Sequence, residues 1–81
     1  MRAIVNIGLK KGVLDDQGKA INNALGTLGF KDLINDVRVG KQIIIELNTN
    51  DKSKAEAEVA QMCEKLLANT VIEDYSIEIV G

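Results

Sequence analysis

The 81-residue sequence predicts a small α+β domain, and three observations support this prediction. Apolar residues alternate with other residues near both ends of the chain, which is the period of a half-buried strand. Two stretches further in place apolar residues three and four positions apart, which is the period of an amphipathic helix. No Gly/Ser-rich or low-complexity segment interrupts the chain, so residues 1–81 are expected to form one domain.

The first half of the chain is predicted to contain one strand and one helix. The strand covers residues 2–9, where every second residue is apolar. The helix covers residues 15–28, with Asp15 or Asp16 as its N-cap and Gly29 at its end. Its apolar stripe consists of Ala20, Ile21, Ala24, Leu25 and Leu28.

The second half is predicted to contain three strands and a helix. Residues 36–39 and 42–48 read as strands joined by a two-residue hairpin turn at Gly40-Lys41. A capping box over residues 53–56, with Ser53 as N-cap, starts a helix whose apolar stripe continues to Leu67. Residues 75–80 alternate again and form the last strand.

The resulting order, βαββαβ, predicts a ferredoxin-like sandwich: a four-stranded antiparallel sheet with two helices on one face. In this arrangement the first and third strands are central, so Ile4 and Ile44 would be neighbours on the helix-free face. The two side chains would form an apolar spot ringed by polar groups. Because a chain of this length has a thin core, we expect this spot to pack on another subunit. The alternative is two ordinary exposed isoleucines.

Composition excludes several classes of function. Ten Lys and Arg residues against twelve Asp and Glu give a net charge of −2, which argues against nucleic-acid or anionic-membrane binding. The single cysteine, Cys63, allows no intramolecular disulfide, and no apolar run is long enough for a membrane span or a signal peptide. A cytoplasmic protein is therefore expected. Because the chain has no histidine, a zinc site is not expected.

One stretch, GVLDDQGKA at residues 12–20, superficially resembles a phosphate-binding loop. A Walker A loop has four residues between its glycines and a Ser or Thr after its lysine. Here five residues separate Gly12 from Gly18, and Ala20 follows Lys19. The stretch is therefore interpreted as a turn, a cap and a helix start. Gly18 costs helix stability, up to about 1 kcal/mol, so we expect a close neighbour, such as a partner's backbone, to leave no room for a side chain there.

No catalytic constellation is recognised elsewhere. An RNA-recognition fold would carry stacking aromatic residues on its central strands, and residues 42–48 contain none. An acylphosphatase-type site would require an arginine in the loop at residues 9–16, which has only lysines. Cys63 lies on a helix stripe and is interpreted as a buried structural thiol. The residues alone thus indicate an oligomeric, partner-binding or regulatory domain.

Three segments together resemble a known family. They are residues 9–25 (LKKGVLDDQGKAINNAL), 37–41 (VRVGK) and 63–79 (CEKLLANTVIEDYSIEI). In this order and spacing they are similar to PurS, the small subunit of bacterial and archaeal phosphoribosylformylglycinamidine synthase (FGAM synthase). The resemblance implies a non-catalytic assembly subunit in de novo purine biosynthesis. Such a subunit would bridge a large ATP-dependent synthase subunit and a glutaminase subunit and support ammonia transfer between them.

The resemblance also implies partners and contact residues. The chain would form a homodimer or tetramer and bind no cofactor itself, while the complex would use ATP and magnesium. Arg38, Gly40 and Lys41 would belong to a projecting hairpin that either contacts an acidic partner surface or is a solvated turn. Tyr75 would be either a core residue with its hydroxyl at the rim or an interface anchor.

Two other functions remain open. The same βαββαβ order occurs in ACT-type domains, which bind small molecules at dimer interfaces, and in small acylphosphatase-type hydrolases. The first loop, with Gly12, could serve an ACT-type site.

Overall fold

The computed structural model describes all 81 residues and contains three strands and two helices. The elements in chain order are β1 (Arg2–Leu9), α1 (Asp16–Leu25), β2 (Gly40–Glu46), α2 (Lys52–Met62) and β3 (Glu73–Val80). Each helix runs on into a five-residue turn of π-helical hydrogen bonding, at Gly26–Phe30 and Cys63–Leu67. No helix combines the length and the apolar character that crossing a membrane requires.

The strands form one antiparallel sheet in the order β2-β1-β3. β1 is the central strand, since it pairs with a neighbour along both of its edges. Its apolar side chains are covered on one face of the sheet. The register places Ile4 opposite Ile44 on one side and opposite Glu78 on the other. The expected α+β class is confirmed, and so is the adjacency of the first and the predicted third strand.

The predicted four-stranded sheet is wrong, because residues 36–39 form no strand. The Gly40-Lys41 hairpin is wrong for the same reason, since both residues belong to β2. A two-residue turn there would pair Val39 with Gln42 and put an apolar and a polar residue on the same face. Instead, the half-buried positions Val37, Val39, Ile43 and Ile45 keep one alternation straight through Gly40-Lys41.

The hydrophobic core lies between α2 and the inner face of the sheet. Its buried residues are Ala3, Val5 and Ile7 of β1 together with Val59, Cys63 and Ala68. Half-buried residues of β2 and β3 complete it, among them Ile43, Ile45 and Ile77. Only nine of the 81 residues are buried, so this core is small even for a chain of this length.

Helix α1 contributes no residue to this core, contrary to the expectation of two helices packed on the sheet. Gly18 is its only buried residue. Its apolar stripe is open to solvent, with Leu28 in the following turn 71% exposed. The molecule is correspondingly elongated: its radius of gyration is 16.1 Å, against about 12 Å for a compact chain of this length.

The helix ends show which capping predictions were right. Asp15 caps α1, as its carboxylate accepts a hydrogen bond from the Gly18 amide at 2.8 Å. Gly29 has φ 103° and ends the first helical segment as expected. The Ser53 cap is wrong: α2 starts earlier, because Asp51 has an extended backbone and accepts from the Lys54 amide at 3.2 Å.

Candidate assembly surfaces

The outer face of the sheet, opposite α2, carries the apolar pair Ile4 and Ile44. These residues face each other across β1 and β2, and Ile44 is 53% exposed. One polar cross-strand pair lies on each side of them: Arg2 with Glu46 at 2.8 Å, and Gln42 with Asn6 at 2.9 Å. Both polar pairs are exposed and contribute little to stability. The pattern leaves an apolar centre framed by satisfied polar groups, as an interface core and its rim require.

Arg38 is not on this face. Its guanidinium Nη2 donates to the carbonyl oxygens of Lys10 at 3.1 Å and of Val13 at 2.8 Å. The side chain therefore fastens the loop after β1 to the segment before β2. The expectation that Arg38 and Lys41 project together from a hairpin is wrong, because one is engaged in this contact and the other lies within β2.

Gly40 has a steric role in the sheet rather than a turn role. Gly40 is the first residue of β2 and lies opposite Gly8 of β1. A Cβ added at this position would come within 2.8 Å of the carbonyl oxygen of Ile7. Lys41, the next residue, lies opposite Ile7 and is exposed.

Asp15 joins the start of α1 to the segment before β2. It is only 6% exposed, and its second carboxylate oxygen accepts from the Val39 amide at 2.7 Å. The amides of Gly18 and Val39, and the nearby Arg38 charge, lower the pKa of this carboxyl. Sequence reasoning identified Asp15 only as a helix cap. No pattern in the neighbouring residues indicated its contact with Val39, which is 24 residues away.

The absence of a side chain at Gly18 allows the start of α1 and the segment before β2 to approach each other closely. A Cβ there would collide with the carbonyl oxygen of Val37 and touch the Asp15 carboxylate. The close neighbour expected at Gly18 is therefore a backbone, but it is the segment before β2 of the same chain and not a partner's. Because the Asp15 carboxylate already fills the N-terminus of α1, the phosphate-loop likeness of residues 12–20 has a structural explanation.

Tyr75 lies at the margin of the core. It is opposite Ile7 on the inner face and half-buried against the core residues. Its hydroxyl donates to Glu64 Oε2 at 2.7 Å. That acceptor, together with burial, raises the pKa of the phenol. This geometry matches a core residue with its hydroxyl at the rim.

Cys63 is fully buried between α2 and the sheet. Burial raises the pKa of its thiol, and the nearby Glu64 carboxylate adds to this effect. A buried, protonated thiol is a poor nucleophile, so its role is packing, as expected from its place on the helix stripe.

A second exposed apolar surface lies on α1 and the residues that follow it. We call it the α1 surface; its members are Ile21, Leu28, Phe30 and Leu33, and Leu33 is 82% exposed. Sequence periodicity marked the first two as core-facing. Periodicity shows that a face is apolar but not which molecule covers it.

Comparison with known proteins gives one family over almost the whole chain. Residues 2–81 match the PurS family model, described as phosphoribosylformylglycinamidine (FGAM) synthase. The PurS subunit of Methanocaldococcus jannaschii is 45% identical over 78 residues, covering 96% of this chain and 93% of the relative. The PurS subunit of Archaeoglobus fulgidus is 48% identical over 77 residues, covering 95% of each.

Solved structures agree with the sequence relatives. The crystal structure of M. jannaschii PurS, one of the subunits of formylglycinamide ribonucleotide amidotransferase, has a TM-score of 0.85 at 45% identity, covering 95% of this chain and 92% of that one. A chain in the structure of PurLQS from Thermotoga maritima has a TM-score of 0.85 at 30% identity, covering 98% of this chain and 95% of that one. On the near full-length sequence match and the shared fold, this chain belongs to the PurS family of FGAM synthase subunits.

Proposed function

We propose that this chain is the non-catalytic assembly subunit of an FGAM synthase complex in de novo purine biosynthesis. It would bridge the large synthase subunit and the glutaminase subunit and support the transfer of ammonia between them. The observation that carries the proposal is the match, over 98% of this chain, to a chain in the T. maritima PurLQS structure.

The local chemistry is consistent with an assembly role. The three groups whose pKa values are shifted all serve the fold: Asp15 joins two segments, Cys63 packs in the core, and Tyr75 is bonded to Glu64. The complex is ATP-dependent, and its ATP and magnesium would be bound by the large subunit rather than by this chain.

Two surfaces are available for assembly. The outer face of the sheet around Ile4 and Ile44 is well suited to self-association in a homodimer or tetramer. The α1 surface, which stands away from the sheet, is well suited to the larger partners. Removing apolar side chains from water at either surface would favour binding by about 25 cal/mol per Å² of apolar area, from which the entropic and desolvation costs of association are subtracted.

Co-elution tests this role directly. The large synthase subunit and the glutaminase are mixed with ATP, magnesium and glutamine, with and without this chain, and passed over a sizing column with light-scattering detection. We expect the two large partners to co-elute only when the chain is present. Co-elution without it, or a ternary mixture in which the chain elutes alone, would contradict the bridging role. Leu28→Asp and Leu33→Asp variants then test the α1 surface, with Glu78→Gln on the outer face as control.

A further inference from the structure

The outer edge of β3 is an unpaired strand edge, because β3 is the last strand on its side of the sheet. The Lys10 amide donates to the Ile72 carbonyl, and this pair continues the register of β1 with β3. Even-numbered residues of β3 therefore bond to β1. The amides and carbonyls of Tyr75, Ile77 and Ile79 consequently point away from the sheet and are available to a further strand.

The two faces of β3 differ in chemistry. On the inner face, Tyr75, Ile77 and Ile79 are only half-buried against the core, so each leaves apolar surface open beside the edge. On the outer face, Asp74 and Glu78 are exposed, and neither carboxylate has a salt-bridge partner within the chain. The edge thus presents apolar surface on one face and uncompensated negative charge on the other.

The charges decide which strand can pair with this edge. Neither proline nor a bulge blocks it, since the register of β3 with β1 is uninterrupted over eight residues. Antiparallel pairing of two β3 edges would bring two Asp74 and two Glu78 side chains together on one face. In pairing centred on Ser76, these like charges would be directly opposed, which is destabilising. The edge therefore disfavours a second copy of itself and suits a strand of opposite charge.

We propose that the β3 edge binds an extended segment of a partner subunit that is basic on one face and apolar on the other. The proposal rests on the assembly function proposed above and specifies a contact surface and the chemistry of its occupant. The segment would add a fourth strand to the sheet by bonding to the outward backbone groups. Its basic side chains would lie beside Asp74 and Glu78, and its apolar side chains beside Tyr75 and Ile77.

The alternation of side chains gives the sequence pattern of this occupant. The partner residues beside Asp74 and Glu78 are four positions apart and lie on the outer face. The residues beside Tyr75 and Ile77 fall between them on the inner face, separated by the residue beside Ser76. The segment therefore reads basic, apolar, any residue, apolar, basic. This pattern is the same in both directions, so it fits parallel and antiparallel pairing.

Charge reversal with a matched control tests the charge complementarity. Asp74→Lys/Glu78→Lys reverses both outer-face charges together, because a single exposed ion pair contributes little. Glu56→Lys/Glu58→Lys makes the same change in net charge at exposed positions of α2. Calorimetry measures binding of each full-length variant to the large synthase subunit and, separately, to the glutaminase. We expect the β3 variant to raise the Kd for one of them at least about tenfold, and the α2 variant to change it less than about threefold.

Two results of this comparison would overturn the proposal. One is an equal Kd for the two double variants with both partners. The other is a β3 variant that binds both partners like the parent chain but has a different subunit count in sedimentation, since the edge would then belong to self-association.

Hydrogen exchange tests the backbone pairing and requires no variant. The outward amides of Tyr75 and Ile77 bond to no strand of this chain. We expect the bound partner to slow their exchange at least about tenfold, because each amide gains an acceptor. The control is the pair of outward amides at the β2 edge, Gln42 and Ile44, whose exchange should not change. Equal changes at the two edges would contradict pairing at β3.

These measurements separate the proposed contact from the assembly function. Binding of the parent chain to the large synthase subunit or to the glutaminase measures the assembly function by itself. If the parent chain binds while the outward amides of β3 exchange at unchanged rates, the assembly function stands and the proposed contact is wrong. If the parent chain binds neither partner, the assembly function is wrong and the contact fails with it.

Discussion

At the scale of single residues, Gly18 allows the start of α1 to lie close to the segment before β2. Alanine is favoured over glycine in a helix by about 1 kcal/mol. At position 18, however, a Cβ would collide with the backbone oxygen of Val37. We expect Gly18→Ala to lower the free energy of unfolding by about 1–3 kcal/mol, measured by urea titration. Gly26→Ala is the control, since Gly26 has helical φ and ψ and its added Cβ would meet nothing closer than 3.8 Å.

The control should be neutral or stabilising by up to about 1 kcal/mol. If Gly18→Ala were as stable as Gly26→Ala, the contact with Val37 would be too loose to hold the segment before β2. The glycine at position 18 would then have no structural explanation.

Asp15 makes stability depend on pH in a defined direction. Its pKa is lower in the folded chain than in the unfolded chain, because two amides bond to its charged form. Its contribution is therefore complete above the unfolded value of about 3.9 and is lost as pH falls through the folded pKa. We expect Asp15→Asn to be less stable than the parent at pH 7, with the gap closing below about pH 4. A gap that stayed constant through acid unfolding curves would contradict this role.

At the scale of elements, sequence periodicity predicted what local physics determines. The positions of β1, both helices and β3 follow from apolar spacing, and the Asp15 cap and the Gly29 terminus follow from backbone preference. The missing fourth strand has a non-local cause, since Asp15 and Arg38 hold residues 36–39 against the loop after β1. The alternation through Gly40-Lys41 was visible in the sequence and argued for one continuous extended segment.

Capping of α2 gives a direct test at this scale. Asp51 accepts from the Lys54 amide, whereas Ser53 lies inside the helix. We expect Asp51→Ala to reduce the free energy of unfolding by about 1 kcal/mol and Ser53→Ala to change it by less than about 0.5 kcal/mol. Thermal unfolding of the two variants side by side measures this. The reverse order would restore the capping box predicted from the sequence.

At the scale of the whole molecule, the structure is open rather than compact. The core is built from α2 and the sheet alone, while α1 and its apolar side chains stand apart. The candidate residues fared differently: Ile4 and Ile44 lie together as expected, but Arg38 and Lys41 do not. Sequence could identify the apolar pair because register follows from alternation. It could not place Arg38, whose position depends on contacts with the distant loop at residues 10–13.

Self-association through the outer face predicts the effect of a buried charge. We expect Ile44→Asp to raise the concentration for half-dissociation at least about tenfold, because an unpaired carboxylate would be desolvated in the interface. The fold should persist, since Ile44 is half-exposed in the single chain. Ser76→Asp, on β3 of the same face, is the control and should keep the parent's subunit count in sedimentation. An unchanged count for Ile44→Asp would place the interface elsewhere.

The measurement that tests the central claim most directly is a reconstituted synthase assay. The large subunit and the glutaminase receive ATP, magnesium and formylglycinamide ribonucleotide, with either glutamine or ammonia, in the presence and absence of this chain. The assembly role predicts that the chain is required for the glutamine-driven reaction but not for the ammonia-driven one. Equal rates with and without the chain, for both nitrogen sources, would contradict the claim that this small subunit joins the two activities.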